Sequence, residues 1–140
     1  MQLISRGTDY ATRTMLYVAG AENGDTATTQ EIAEHQGISQ IFLPKIVQRL
    51  VQAGLLRTYR GAAGGVTLSQ SPGDINLRQI IEAMEGPISL NRCLTGPGQC
   101  FREEICPVHE VWSEAQRDLL AALEGSTLDR LVIRGKELTN

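Results

Sequence analysis

Hydrophobic positions at helical spacing predict that the first part of the chain forms short helices. Apolar residues recur every three or four positions from Ala11 to Ala19, in a helix that Thr8 or Asp9 can cap. A second helix, Gln30 to Gln36, is predicted to open at Thr28, with a glutamate three residues later in the spacing of a capping box. Both helices place their apolar residues on one side, as packed helices of a small domain do.

A third helix is predicted after Gly37, which suits the left-handed turn between two helices. Ser39 can cap this helix, which would run to about Ala53. Its apolar side comprises Ile41, Leu43, Ile46, Val47, Leu50 and Val51, and its other side is polar and basic. Pro44 conflicts with this start, because it would remove a backbone hydrogen bond about one turn into the helix. The helix therefore either begins later or is kinked. Two helices joined by such a turn are typical of a helix-turn-helix.

A β-hairpin is predicted directly after the third helix. Leu55–Arg60 and Val66–Ser69 form its strands, joined by the turn Gly61–Gly65, whose glycines suit positive φ. A hairpin after a helix-turn-helix predicts a winged helix. Arg60 lies beside the small turn residues, where a phosphate or minor-groove contact needs a cation.

The second half of the chain supplies two further helical segments. A helix from Leu77 to Glu85 closes the predicted DNA-binding head, and the longest helix signal runs from Val108 to Glu124. A final short helix follows Gly125. The apolar stripe of the long helix is wide enough for its own core and for a partner, and consists of Val108, Val111, Trp112, Ala115, Leu119, Ala122 and Leu123.

The predicted fold is mainly α: a winged helix-turn-helix with a two-stranded β wing, plus a long C-terminal dimerisation helix. Residues 1–86 form the head, residues 87–107 a cysteine-bearing loop, and residues 108–140 the dimerisation helix with the C-terminal short helix. We expect the 108–124 helix to pair with its twin in a homodimer. The two recognition helices would then lie about one DNA turn apart.

Charge is distributed unevenly in this 140-residue chain. Its net charge of −3 does not indicate nucleic-acid binding, yet the window 35–73 contains no aspartate or glutamate. The window does contain four cations, Lys45, Arg49, Arg57 and Arg60. A local basic block in an acidic chain favours one DNA-facing surface.

Several classes of protein are disfavoured by the composition. No apolar run approaches the length of a membrane span, and the N-terminus lacks the apolar core of a signal peptide. We therefore expect a cytoplasmic protein with reduced thiols and no membrane partner. No nucleophile–base pair or paired carboxylates occur in a cleft-forming context, so catalysis is not expected.

All three cysteines and one of the two histidines lie within residues 93–109, in the spacing Cys-x6-Cys-x5-Cys-x2-His. The first half of this segment is rich in glycine and proline and is predicted to be a loop. An odd number of cysteines argues against a fully paired disulfide framework. Four soft ligands in so short a segment suit zinc or an iron–sulfur cluster.

These features together resemble the IscR/NsrR-type bacterial transcription regulators, winged-helix dimers that carry an iron–sulfur cluster. The resemblance covers nearly the whole chain. It rests on Thr8–Ala11, Gly37–Ser39, Gly54-Leu55, the wing pattern Arg60-Gly61-x-x-Gly64-Gly65 and the cysteine loop, in that order. It implies a homodimer that binds a near-palindromic double-stranded DNA operator. In that family the cluster senses redox state, nitric oxide or iron–sulfur supply.

The resemblance also implies site residues. Cys93, Cys100 and Cys106 match the cluster cysteines, and the DNA-contacting set is Ser39, Gln40, Ile41, Pro44, Lys45, Arg49, Arg60 and Gly61. Two features depart from the best-known member of the family. The first cysteine gap is longer by one residue, and Pro44 replaces an acidic DNA-facing residue, which leaves the operator class open.

Two residues compete as the fourth cluster ligand. His109 follows Cys106 by three residues, as in IscR-like proteins with a 2Fe–2S cluster. Asp9 matches the acid that NsrR-like proteins supply from the partner chain to a 4Fe–4S cluster. We favour His109 and 2Fe–2S, because Cys106 and His109 are one helical turn apart.

Two other functions are compatible with the residues. The first is a winged-helix regulator with a structural zinc site and no redox sensing. The second is a small cluster-carrying protein whose winged head binds other proteins. The acid-free window 35–73 argues against the second.

Overall fold

The computed structural model describes residues 1–21, 26–60 and 64–140. In these ranges it contains six α-helices and one two-stranded sheet, which confirms a mainly α winged helix. The elements are α1 (Arg6–Ala19), α2 (Thr29–Gln36), α3 (Leu43–Gln52), β1 (Leu56–Tyr59), β2 (Gly65–Leu68), α4 (Leu77–Glu85), α5 (Pro107–Glu124) and α6 (Leu128–Thr139).

The starts of the first two helices follow from their caps. The prediction that Thr8 or Asp9 caps α1 is wrong, because the Ser5 hydroxyl accepts from the Thr8 N–H and starts the helix at Arg6. At α2 the predicted capping box is confirmed. The Thr28 hydroxyl accepts from the Glu31 N–H at 3.1 Å, and the Glu31 carboxylate accepts from the Thr28 N–H at 3.3 Å.

The prediction that Ser39 caps the third helix is wrong, because α3 begins later, with Phe42 at its N-cap position. Gly37 adopts the predicted left-handed conformation, with φ of 63°. Residues 40–42 then form a turn, and α3 starts at Leu43. Pro44 is therefore in the first turn of the helix, where its missing N–H leaves no helical hydrogen bond unmade. This resolves the conflict over Pro44 in favour of the later start.

The wing is a short antiparallel hairpin fastened to the body of the protein. Leu56 pairs with Leu68 and Tyr59 with Gly65. Val66 also exchanges two backbone hydrogen bonds with Ala27, at 2.7 and 3.1 Å, so the root of the wing is joined to the segment before α2. The tip of the predicted turn, residues 61–63, lies outside the described residues.

One hydrophobic core joins the head to the last helix. Met15, Ile32, Leu50 and Ile80 have no exposed surface, and neither does Leu128 at the start of α6. Two backbone hydrogen bonds fix this end of α6 beside α4: the Leu77 N–H donates to Ser126, and the Leu128 N–H donates to the Ile75 carbonyl. The last helix is therefore held on the head by α1 and by the segment that leads into α4.

Helix α5 differs from the others, because none of its 18 residues is buried. It contacts α4 and the short turn Arg92–Leu94. Across the described ranges, no helix combines the length and apolarity needed to cross a membrane.

Candidate DNA-binding surface and cysteine loop

The turn before α3 presents two large apolar side chains to solvent. Ile41 is 79% exposed and Phe42 56% exposed, between the buried Ile38 and Leu43. The prediction that Ile41 belongs to the buried side of the helix is therefore wrong. Position 41 lies about 160° from Leu43 around the helix axis, so even a helix extended back to it would place Ile41 on the side opposite the core.

The exposed side of α3 carries Pro44, Lys45, Gln48 and Arg49. The Arg49 guanidinium donates to the Met84 carbonyl at 2.6 Å, which ties α3 to the last turn of α4. Arg49, one of the predicted DNA residues, thus has a partner within the protein. Lys45 and the residues of the preceding turn are the predicted reading positions at the start of α3.

The wing contributes exposed cations from the same acid-free window, residues 35–73. Arg57, Tyr59 and Arg60 are all exposed. A hydrogen bond with Thr67, and to a smaller extent one with Arg57, lowers the pKa of the Tyr59 phenol. Arg60 is the last described residue before the tip, and Gly61, the other predicted wing contact, lies outside the described residues.

The cysteine loop connects α4 to α5. Cys93, Cys100 and Cys106 are half-buried free thiols. The loop is joined to the long helix by a hydrogen bond from the Leu90 N–H to the Gln116 side chain, at 2.8 Å. Within the described part of the chain, no three Cys, His, Asp or Glu side chains are gathered as a group that could hold a metal ion.

His109 lies in the first turn of α5, and its N–H donates to the Cys106 carbonyl at 3.2 Å. Its Nδ1 atom is buried and has no hydrogen-bond partner among the described residues. A buried polar atom without a partner is costly, so this imidazole is available to a ligand.

The competing ligand, Asp9, is engaged within its own chain. Its carboxylate forms an ion pair with Arg13 on the next turn of α1, with N–O distances of 2.5 and 3.2 Å. This hydrogen bond raises the pKa of Arg13. The Asp9 side chain is 53% exposed, so a partner chain could reach it only in competition with Arg13 and water.

The comparison with known proteins decides the family. The model of the Rrf2 family, described as an iron-dependent transcriptional regulator, matches residues 4–134. The chain belongs to the Rrf2 family. It is therefore a DNA-binding transcription regulator, and the predictions of this resemblance and of a non-enzymatic protein are confirmed.

Individual Rrf2 proteins match over most of their length. The HTH-type transcriptional regulator NsrR of Bacillus subtilis (strain 168) is 32% identical over 131 residues, which cover 93% of this chain and 89% of that protein. IscR of Cronobacter sakazakii is 33% identical over 132 residues, covering 94% and 80%. The structure of CymR, the global cysteine regulator of B. subtilis, is 28% identical with a TM-score of 0.79, covering 96% of this chain and 98% of that one. The fold is also that of T. potens IscR, with a TM-score of 0.80 at 24% identity, over 99% and 92% of the two chains.

In this Rrf2 protein, α5 exposes an apolar face. Val108 is 46% exposed, Val111 57% and Trp112 41%, and Ala115 and Ala122 are exposed beside them. At 3.6 residues per turn these five side chains lie within about 100° of the helix circumference. The two leucines of the predicted stripe, Leu119 and Leu123, are half-buried against their own chain.

Sequence reasoning missed three features of this Rrf2 regulator. Phe42 was assigned to neither the core nor the DNA surface, although it lies at the N-cap position of α3. The bond from Arg49 to α4 spans 35 residues and has no local signal. Arg78 of α4 likewise forms ion pairs with Glu82 and with Glu124 at the end of α5. Helix α4 thus connects α3 to α5.

Proposed function

We propose that this Rrf2 regulator is a homodimer whose affinity for a near-palindromic operator is controlled by an iron–sulfur cluster. Cys93, Cys100, Cys106 and His109 are the proposed ligands, and a 2Fe–2S cluster is favoured over 4Fe–4S. The observation that carries the proposal is the buried Nδ1 of His109, which has no hydrogen-bond partner within residues 1–21, 26–60 and 64–140 and lies one turn after the half-buried thiol of Cys106.

The donor set fits such a cluster. Thiolates are the usual ligands of iron–sulfur clusters, and histidine replaces cysteine in some of them. Coordination would give the His109 ring nitrogen a partner that the described residues do not provide. Asp9 of the partner chain is the alternative fourth ligand, but it would first have to leave its ion pair with Arg13.

The proposed DNA contacts follow the exposed and basic surface of the head. Residues 39–41 of the turn, with Pro44 and Lys45 of the first helical turn, enter the major groove, as recognition-helix N-termini do. Arg60 and Gly61 contact phosphate or the minor groove from the wing. Arg49 adds positive charge, but one of its N–H groups already donates a hydrogen bond to α4.

Control of binding runs through the chain's own contacts. When bound, the cluster supplies a centre that responds to redox state, nitric oxide or iron–sulfur supply. Its ligands hold the loop that leaves α4 just after Met84, whose carbonyl accepts from Arg49 of the recognition helix. A change in the loop therefore acts on the end of α4, and through Arg49 on the orientation of α3.

Dimerisation is the second element of the proposal. The exposed apolar face of α5 pairs with the same face of the partner. The three segments, residues 1–86, 87–107 and 108–140, differ in the role that each performs. The head reads DNA in the cytoplasm, the loop holds the cluster, and α5 sets the spacing of the two heads. Helix α6 belongs to the third segment but is anchored on the head through Leu128.

The test is to measure iron and acid-labile sulfide per chain, with the visible spectrum, on protein purified without oxygen. Wild type is compared with His109→Ala and Asp9→Ala. We expect equal amounts of iron and sulfide, lost in His109→Ala and kept in Asp9→Ala. A colourless protein containing zinc would instead indicate the structural-zinc regulator.

DNA binding is measured on the same samples. We expect cluster-loaded and cluster-free protein to differ in operator affinity, and the affinity to fall steeply with salt because phosphate contacts release counterions. Arg60→Ala should weaken binding to all sequences about equally. Equal affinity of the loaded and cluster-free forms over all sequences tested would contradict cluster control.

A further inference from the structure

The turn before α3 holds two apolar side chains in a fixed position away from the core. Ile41 and Phe42 are mostly exposed, whereas the residues on either side, Ile38 and Leu43, are 4% and 1% exposed. The turn is thus anchored in the core at both ends, and its two apolar side chains are directed outward.

Hydrogen bonds to Ser39 fix the backbone of this turn. The Ser39 hydroxyl accepts from the Ile41 N–H at 3.2 Å, and its carbonyl accepts from the N–H groups of Phe42 and Leu43 at 3.1 and 3.0 Å. The turn is therefore organised before any partner arrives. An apolar contact made by a preorganised turn loses little conformational entropy on binding.

The surroundings of the pair indicate a polyanionic partner. The turn lies inside the acid-free window 35–73, beside Lys45 and in the same window as the cations of the wing. A docking site for a protein or a membrane would present a larger apolar patch than these two side chains. On DNA, the apolar group that base edges present in the major groove is the thymine 5-methyl.

We propose that Ile41 and Phe42 contact thymine methyl groups in each operator half-site, and that Phe42 is a specificity-determining residue. The inference rests on the proposed function, because it requires the start of α3 to lie in the major groove. It adds the chemistry that is read: the operator carries thymines opposite this turn, recognised by apolar contact rather than by hydrogen bonding.

The experiment removes the methyl groups without changing the base pairing. A duplex is first selected by wild-type protein from a randomised library, and each thymine of both half-sites is then replaced in turn by deoxyuridine. We expect one or two positions per half-site at which replacement weakens binding about fourfold, the value that the transfer free energy of one buried methyl group predicts. Replacement at the remaining thymines should have little effect.

Variants assign the effect to the two side chains. Phe42→Ala and Ile41→Ala should weaken binding to the thymine duplex, and each should become insensitive to deoxyuridine at the position that its side chain contacts. Both residues are exposed, so thermal unfolding should be nearly unchanged. Ile133→Ala is the matched control, because it shortens an exposed apolar side chain on α6 and should change neither binding nor methyl sensitivity.

The possible failures are distinguishable. If no sequence is enriched, the proposed function fails, and this inference fails with it. If a sequence is enriched but deoxyuridine has no effect at any position, the regulator stands and methyl recognition is refuted. The inference is also refuted if both variants retain the full sensitivity of wild type.

Discussion

The exposed face of α5 allows the proposed dimer to be tested at one side chain, Trp112. This residue is 41% exposed in the single chain. A tryptophan presents about 250 Å², so roughly 100 Å² would be covered by a partner, worth about 2.5 kcal/mol at about 25 cal/mol per Å². A two-fold interface uses each residue twice.

Replacing Trp112 by alanine should therefore cost the dimer about 2–5 kcal/mol, where the lower value allows for partial repacking by neighbouring side chains. The dissociation constant of the dimer should rise by about 30-fold to a few thousand-fold. Sedimentation equilibrium measures this directly. Trp112 is the single tryptophan of the chain, so diluting wild-type protein should also shift its fluorescence emission to the red as the indole becomes exposed.

Arg117→Ala is the control, because Arg117 is exposed on the opposite side of the helix, half a turn from Val108. It should leave the dimer unchanged. Ala115→Glu, which places a charge in the centre of the apolar face, should disrupt the dimer without removing the indole. If both Trp112→Ala and Ala115→Glu are folded by circular dichroism and keep the wild-type dissociation constant, α5 is not the dimer interface.

Three further predictions concern stability. Leu128→Ala should lower the free energy of unfolding in urea by about 2–5 kcal/mol, because this side chain is fully buried in the head; an unchanged midpoint would show that α6 is not part of that core. Gly65→Ala would place a Cβ atom 2.7 Å from the Ala27 carbonyl oxygen, so the free energy of unfolding should fall by about 1–3 kcal/mol and DNA binding should weaken. Gly135→Ala is the control, because a Cβ atom there would meet open space. Asp129→Asn should lower the stability of the protein at neutral pH. A hydrogen bond from the hydroxyl of Thr127, the N-cap residue of α6, and then one from a backbone N–H lower the pKa of the Asp129 carboxyl below 3.8. That contribution is present above the unfolded pKa and is lost as the pH falls through the folded value, so wild type and variant should converge in acid-unfolding measurements well below pH 3.8.

Features with a local cause could be predicted from the sequence. The capping box at Thr28 and the left-handed Gly37 depend on residues within one turn, and both occur in the structure. The start of α3 could not be predicted in this way. Pro44 is compatible with either a later start or a kink, and local spacing does not choose between them. Ile41 does not continue the apolar side, because position 41 lies about 160° from Leu43 around the helix axis, and the structure leaves it exposed.

The candidate sites show the same division between local and distant causes. The donor types of the cysteine loop are visible in the sequence, since Cys106 and His109 are one turn apart. The isolation of the buried His109 nitrogen is not, because it depends on how α5 packs. The Arg49–Met84 hydrogen bond joins residues 35 positions apart, and such a contact emerges only when α3 and α4 are packed together.

The Arg49–Met84 hydrogen bond divides the recognition helix into two parts with separate constraints. Under the proposed function, the exposed positions 40–42, 44 and 45 can vary with the operator, while Arg49 in the later turn is held by its bond to α4. In such a regulator, the choice of DNA sequence and the response to the signal depend on different residues of the same helix. Exchanging positions 40–42, 44 and 45, with Ser39 and the buried Leu43 kept, should redirect the protein to a different promoter while the signal to which it responds is retained. A library restricted to those positions is therefore a direct route to reprogrammed sensors, and a library that includes Arg49 would be expected to yield proteins that bind DNA without responding.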